Sequence, residues 1–187
     1  MIKIAEVFHP SARELWQPIK QCGVDYVVGG FGLHPIPDAD PERQPWSYMS
    51  LLRMKTAYRD AGFELAVIES RPPMDKIKLG LPGRDEQIEV IQAFIRNMGR
   101  LEIPVWCYEF MPGVTVLRTS STIPTRGGAQ VTGYDHDLMK NAPLTEYGTF
   151  TDEDTWANLK YFLDAVVPVA EEYNVKLAAH PDDPPLS

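Results

Sequence analysis

Lys176-Leu177-Ala178-Ala179-His180-Pro181-Asp182-Asp183-Pro184-Pro185 reads as a short apolar strand that ends in a histidine. Two carboxylates follow, held among three prolines. Each proline fixes φ near −65° and restricts the residue before it. An imidazole and two acids on a stiffened chain at a strand's end make a candidate metal or acid–base site. The same form recurs upstream. Ile2 to Phe8 leads to His9-Pro10, Leu65 to Ile68 leads to Glu69-Ser70-Arg71-Pro72-Pro73, and Val105 to Phe110 carries Tyr108-Glu109 and ends at Met111-Pro112. Asp25 to Phe31 supplies one more strand, with His34 in the loop beyond it.

Amphipathic segments lie between these strands. Ser11 and Glu14 have the spacing of a capping box, which predicts a helix to about Cys22 with Gly23 at its C′ position. Pro18 is expected to kink or shorten it. Ser47 opens a second helix with Leu51, Met54, Ala57 and Tyr58 on one face, closed by Gly62. A third covers about Asp85 to Arg100, with Ile88, Ile91, Ile95 and Met98 inward. The last begins at Thr151-Asp152-Glu153-Asp154, an acidic first turn that suits the helix dipole. Trp156, Leu159, Leu163, Val166, Ala170 and Tyr173 form its predicted stripe, and Pro168 is expected to bend it.

The order is βαβαβαβαβ, which implies a parallel sheet with right-handed crossovers. Five strands suit either a complete open sheet or the first part of a (β/α)8 barrel. The polar residues favour the barrel. His9, His34, Glu69, Tyr108, Glu109 and His180 all fall at or just past strand C-termini, which converge on one mouth in a barrel. An open doubly wound sheet would gather them at one switch point. Eight strands with loops this long need more than 187 residues, so the barrel is expected to be incomplete. Residues 1–187 are read as one domain. Gly113 to Phe150 has little periodicity and reads as a lid-like insertion, since a loop this long in a compact domain is usually functional or disordered.

Composition narrows the function. A formal net charge of −8, with no Lys/Arg cluster, argues against nucleic acid or an anionic membrane surface as partner. No apolar run approaches the ~20 residues of a membrane span. The N-terminus reads as a strand rather than a signal peptide. The two cysteines, Cys22 and Cys107, are far apart and read as reduced core thiols of a cytoplasmic protein. Gly29-Gly30-Phe31-Gly32 lacks the spacing of a nucleotide-binding turn, so no nucleotide cofactor is expected.

Each polar candidate has two readings. His180 is either a metal ligand or a structural histidine at a sheet edge; one histidine does not make a metal site, which takes three or four protein ligands. Tyr108-Glu109 is either part of the site or the alternation of an ordinary strand. Glu69 either binds a sugar hydroxyl or pairs with Arg71. His9 and His34 are either site residues or structural hydrogen-bonders in Pro-rich loops. Arg118 and Arg126 are either solvated or poised for a carboxylate, which the planar guanidinium binds through two parallel bonds.

Three pieces together resemble the mannonate dehydratase family: Cys107-Tyr108-Glu109-Phe110-Met111-Pro112, Val167-Pro168-Val169-Ala170-Glu171-Glu172, and the His180 to Pro185 run. Glu69-Ser70 with Pro72, and Leu33-His34-Pro35-Ile36-Pro37, also look like the family's pattern. The resemblance runs in order along essentially the whole chain. It implies a TIM barrel that dehydrates D-mannonate to 2-keto-3-deoxy-D-gluconate in hexuronate (glucuronate) breakdown, with Mn2+ or Fe2+. His180 would be one metal ligand. The family's cysteine, second histidine and aspartate ligands come from later strands, and Cys107 belongs to a different motif. His34, Glu69, Tyr108, Arg118 and Asp182 are the expected substrate contacts; no residue is assigned as general base or acid. The partner is a small sugar acid, and a homo-oligomer is expected at full length. Two departures stand out. Glu109 replaces the Asn of many members, and Val116-Leu117-Arg118-Thr119 keeps the arginine of a Trp-Thr-Arg segment without the aromatic. Two other functions fit these residue types: a divalent-metal sugar isomerase or epimerase on the same barrel, and a non-catalytic half-barrel binding module.

Overall fold

The structure is a computed structural model and describes residues 2–30, 33–113 and 116–184. Phe31 and Gly32, at the predicted end of the second strand, lie outside the described residues, as do Pro185 and Ser187.

In chain order the elements are β1 (Ala5–Val7), α1 (Arg13–Gln21), β2 (Tyr26–Gly29), α2 (Tyr48–Asp60), β3 (Glu64–Glu69), α3 (Asp75–Lys78), α4 (Arg84–Arg100) and β4 (Val105–Tyr108). Then come β5 (Ser120–Pro124), β6 (Gln130–Gly133), α5 (His136–Met139), α6 (Asp152–Glu172) and β7 (Lys176–Ala179). Five strands form one sheet in the order β1-β2-β3-β4-β7, every neighbouring pair parallel. Spatial order follows chain order without reversal, so there is no switch point of the doubly wound kind. This is the winding of a (β/α) barrel, as expected.

Side chains alternate across the sheet. On one face Trp106 packs edge-on against Phe94 of α4 and Phe162 of α6, and Tyr108 packs on Phe162. Val27, Leu65 and Ile68 join them, fully buried, in a single apolar core. On the other face Val105 and Cys107 are only half-buried. That face is the inner wall of the barrel.

Local chemistry explains most boundaries. Ser47 caps α2 by accepting the Ser50 N–H at 3.3 Å. Thr151 and Asp154 form a reciprocal capping box at α6. Gly23 takes φ +75° just after α1, as its predicted C′ role requires. Gly30 has φ +114°, and a Cβ there would meet Ile68 Cγ2 at 2.7 Å. Strand crowding therefore explains this glycine without a phosphate.

Four expectations are corrected. Ser11 does not cap α1: the cap is Ala12, without a side-chain bond, because the Ser11 hydroxyl is engaged by His9 Nδ1 at 2.6 Å. β1 is only three residues long, pairing with β2 over that length alone. The buried stripe of α6 passes through Phe162, Val166, Val169 and Ala170, whereas Trp156 in its first turn is 69% exposed. Cys22 is exposed at the end of α1 rather than in the core; Cys107 is half-buried, and both thiols are free.

The 113–150 segment holds the antiparallel hairpin β5–β6 and the short α5. The hairpin turns through Gly127 and Gly128, both at positive φ.

Candidate functional site

The sheet delivers its polar residues to one end. Glu69 is the last residue of β3, Tyr108 the last of β4, and His180 follows β7 directly. The His180 N–H donates to the Tyr108 carbonyl at 2.7 Å, which continues the ladder one residue past β7. His180 Nδ1 lies 2.5 Å from the Pro181 carbonyl. A carbonyl can only accept, so Nδ1 carries the hydrogen, and the lone pair available for ligation is the one on Nε2. This is how an imidazole is set to ligate a cation.

Among the described residues the most heavily bonded acid is Glu109. Its Oε1 accepts from Arg71 Nε and, at 2.5 Å, from Lys78 Nζ; its Oε2 accepts the Met111 N–H at 2.8 Å. The Lys78 side chain is 1% exposed, against 21% for Arg71 and 18% for Glu109. Burial, then the Arg71 charge, pushes Lys78 down to about 8 despite Glu109. Burial alone would push the Glu109 carboxyl up, but Lys78, Arg71 and the Met111 N–H together hold it below its ordinary value. Arg71 thus pairs with Glu109 rather than with Glu69, against the ion-pair alternative for Glu69. Glu69 belongs to the strand itself, in register with Cys107, whose thiol is pushed up by burial and then by the Glu69 charge.

A second cluster joins the hairpin to the loop after β7. Arg118 donates to both Asp183 oxygens, at 2.8 and 2.6 Å, and through Nε to Thr132 at 3.0 Å. The Asp183 N–H reaches Met111 Sδ at 3.4 Å. An open cleft of about 450 Å³ lies here, lined by Arg118, Thr132, Gly133, Tyr134, His136, Asp183 and Pro184.

Of the predicted contacts, Glu69, Asp182 and His34 are exposed. His180 sits beside the end of β4, as above. Arg118 gives its two-pronged face to Asp183. Tyr108 is 7% exposed, with its ring toward α6. The residues that pattern reading missed are Lys78, Tyr134 and His136. An acid in the apolar run Val105 to Phe110 was a usable signal, because a buried carboxylate demands a cation nearby.

The donor set bears on the expected metal. Among the described residues no three His, Cys, Asp or Glu side chains gather where an ion could be held. His180 is a single imidazole, so this stretch does not by itself fit a divalent cation.

Parallel strands in sequential order, helices on one face and polar groups at the C-terminal ends define the N-terminal half of a TIM-barrel sugar isomerase-like architecture. E. coli 3-keto-D-glucoside 4-epimerase shares this fold at TM-score 0.56 and 13% identity, over 97% of this chain and 56% of that one. Residues 11–145 and 141–187 match the D-mannonate dehydratase (UxuA) family, and the chain belongs to it. It is 37% identical over 169 residues to a mannonate dehydratase of Streptococcus pneumoniae (strain 70585), covering 78% of this chain and 46% of the relative. The crystal structure of mannonate dehydratase from Streptococcus suis serotype 2 superposes at TM-score 0.84 with 31% identity, over 100% of this chain and 55% of that one. The chain spans about half the length of the curated relatives it matches. No helix among the described residues is long and apolar enough to cross a membrane.

Proposed function

We propose that this chain forms the N-terminal half of the active-site mouth of a mannonate dehydratase-type hydro-lyase, acting in the cytoplasm on D-mannonate. The observation that carries the reading is His180. Its backbone is fixed to the end of β4, its Nδ1–H is taken by a carbonyl, and its Nε2 is left as a ligand, within a chain of this family.

The reaction removes the proton beside a carboxylate and expels the neighbouring hydroxyl, giving 2-keto-3-deoxy-D-gluconate. A divalent cation (Mn2+ or Fe2+ by resemblance) supplies charge stabilisation at the carboxylate and leaving oxygen when bound. This stretch offers one imidazole toward such an ion. Its own work is to shape the substrate's seat. Glu69, His34 and Asp182 are exposed near strand ends, where they can hydrogen-bond polyol hydroxyls, and the hairpin beside Asp183 covers the mouth as a lid.

The test is to incubate the full-length protein and Mn2+ with D-mannonate and, separately, with aldoses. A 2-keto-3-deoxy acid from mannonate is the expected product; isomerised aldose without dehydration overturns the reading. The 187-residue chain alone, in which His180 is the one imidazole assigned to the ion, should bind Mn2+ weakly and turn over no mannonate. Robust dehydration by it would refute that part.

A further inference from the structure

Glu109 brings a negative charge to the strand-end mouth, and two cations, Arg71 and Lys78, meet it. Lys78 is sealed from solvent, so its ammonium requires a counter-charge, which Glu109 supplies at 2.5 Å. Arg71 is then in excess: two cations contact one carboxylate. Asp75, the other acid acting on Lys78, is exposed at the start of α3 and acts more weakly than Glu109. A half-buried cluster with one unmatched positive charge favours an anionic guest.

Arg71 is the member that can receive it. Its side chain is 21% exposed while Lys78 is enclosed. Nε makes its only hydrogen bond to a described residue. The two terminal nitrogens remain, with the planar geometry that matches a carboxylate. Arg118, the sequence's own candidate for that role, has spent the same face on Asp183. The bond to Glu109 places the Arg71 guanidinium between the ends of β3 and β4. His180 begins at the next strand, about 5 Å further along the sheet.

We propose that Arg71, positioned by Glu109, binds the carboxylate of the sugar acid and so sets the preference for an acid over a neutral sugar. The proposal rests on the sugar-acid reading above. Steady-state kinetics of the full-length protein on D-mannonate and D-gluconate tests both. Arg71→Gln should raise KM about ten- to a hundredfold, as loss of a charge-assisted pair predicts, with kcat nearly unchanged. Arg71→Lys keeps the charge toward Glu109 but loses the fork, and should fall between. A merely structural role would lower the active fraction, and hence apparent kcat, at constant KM. Unchanged KM in both variants, with or without such a loss, overturns the proposal and leaves the sugar-acid reading standing. A wild-type protein inactive on both acids overturns the reading and the proposal together.

Discussion

Arg118 and Asp183 are joined by two parallel hydrogen bonds across 65 residues of sequence, and this pair ties the β5–β6 hairpin to the loop that follows β7. The bonded Arg118 holds the Asp183 carboxyl below its ordinary range. A carboxyl lowered in the fold contributes stability above its unfolded value of 3.8 and loses it as pH falls through the folded one. The protection of the Thr119 and Gly133 amides against hydrogen exchange, taken relative to the intrinsic rate at each pH, should therefore stay constant from about pH 8 to 5, and it should fall under Asp183→Asn at neutral pH. The α4 amides should keep the same protection in that variant. Equal protection in the variant would show that the hairpin does not depend on this pair.

Glu109→Gln should be among the most damaging polar substitutions. It leaves the enclosed Lys78 and the half-buried Arg71 without a counter-charge. Breaking a buried pair in this way typically costs about 3–5 kcal/mol, and the partial exposure of Arg71 argues for the lower end. The double variant Lys78→Met, Glu109→Gln removes the stranded ammonium as well, so it should lose less than the two single changes added together. Urea denaturation of the four proteins measures the coupling. Additive losses would count against a shared network.

The physical origin of each signal decides what could be read in the sequence. The α4 stripe Ile88, Ile91, Ile95, Met98 was legible because a helix against a sheet buries one periodic face, and all four are buried. So was the strand ending at His180, since apolar run, histidine and proline mark the same boundary. Lys78 was not legible. It lies in a four-residue helix, and only the fold brings Glu109, 31 residues away, to its ammonium. Sequence proximity offered only Glu69 as a partner for Arg71, whereas the neighbouring strand supplies Glu109. The β5–β6 hairpin was missed because it is largely exposed on both faces, so no alternation of apolar and polar residues is imposed on it.

Lys78 also leaves a signature in alkaline stability. Its folded value is about 8 against an ordinary 10.5, so the unfolded chain holds this proton more tightly. Between those two values the unfolded state binds more protons, and stability from this group rises with pH. The difference in unfolding free energy between wild type and Lys78→Met should therefore move in favour of wild type from pH 8 to 10.5. A flat difference would mean that Lys78 titrates as it does in the unfolded chain.

Tyr58 gives the opposite slope and anchors the end of β1, the edge strand. Its hydroxyl donates to the Phe8 carbonyl at 2.5 Å, and its ring meets that of Phe8 edge-on at 5.5 Å. β1 pairs over only three residues, so this contact from α2 fixes the strand just before His9. Tyr58→Phe keeps the ring but strands a buried carbonyl, at a cost of about 1–3 kcal/mol. Burial pushes the Tyr58 phenol up to about 12 from 10.0. The folded state then keeps a proton that the unfolded state releases, so wild-type stability from this group is full below pH 10 and falls above it. Two readings follow from one pair of proteins. Thermal unfolding at neutral pH should show the variant less stable, and the gap should narrow above pH 10. A variant as stable as wild type at neutral pH would mean that water replaces the hydroxyl at Phe8, and β1 would then be held by its ladder with β2 and by the ring contacts of Phe8.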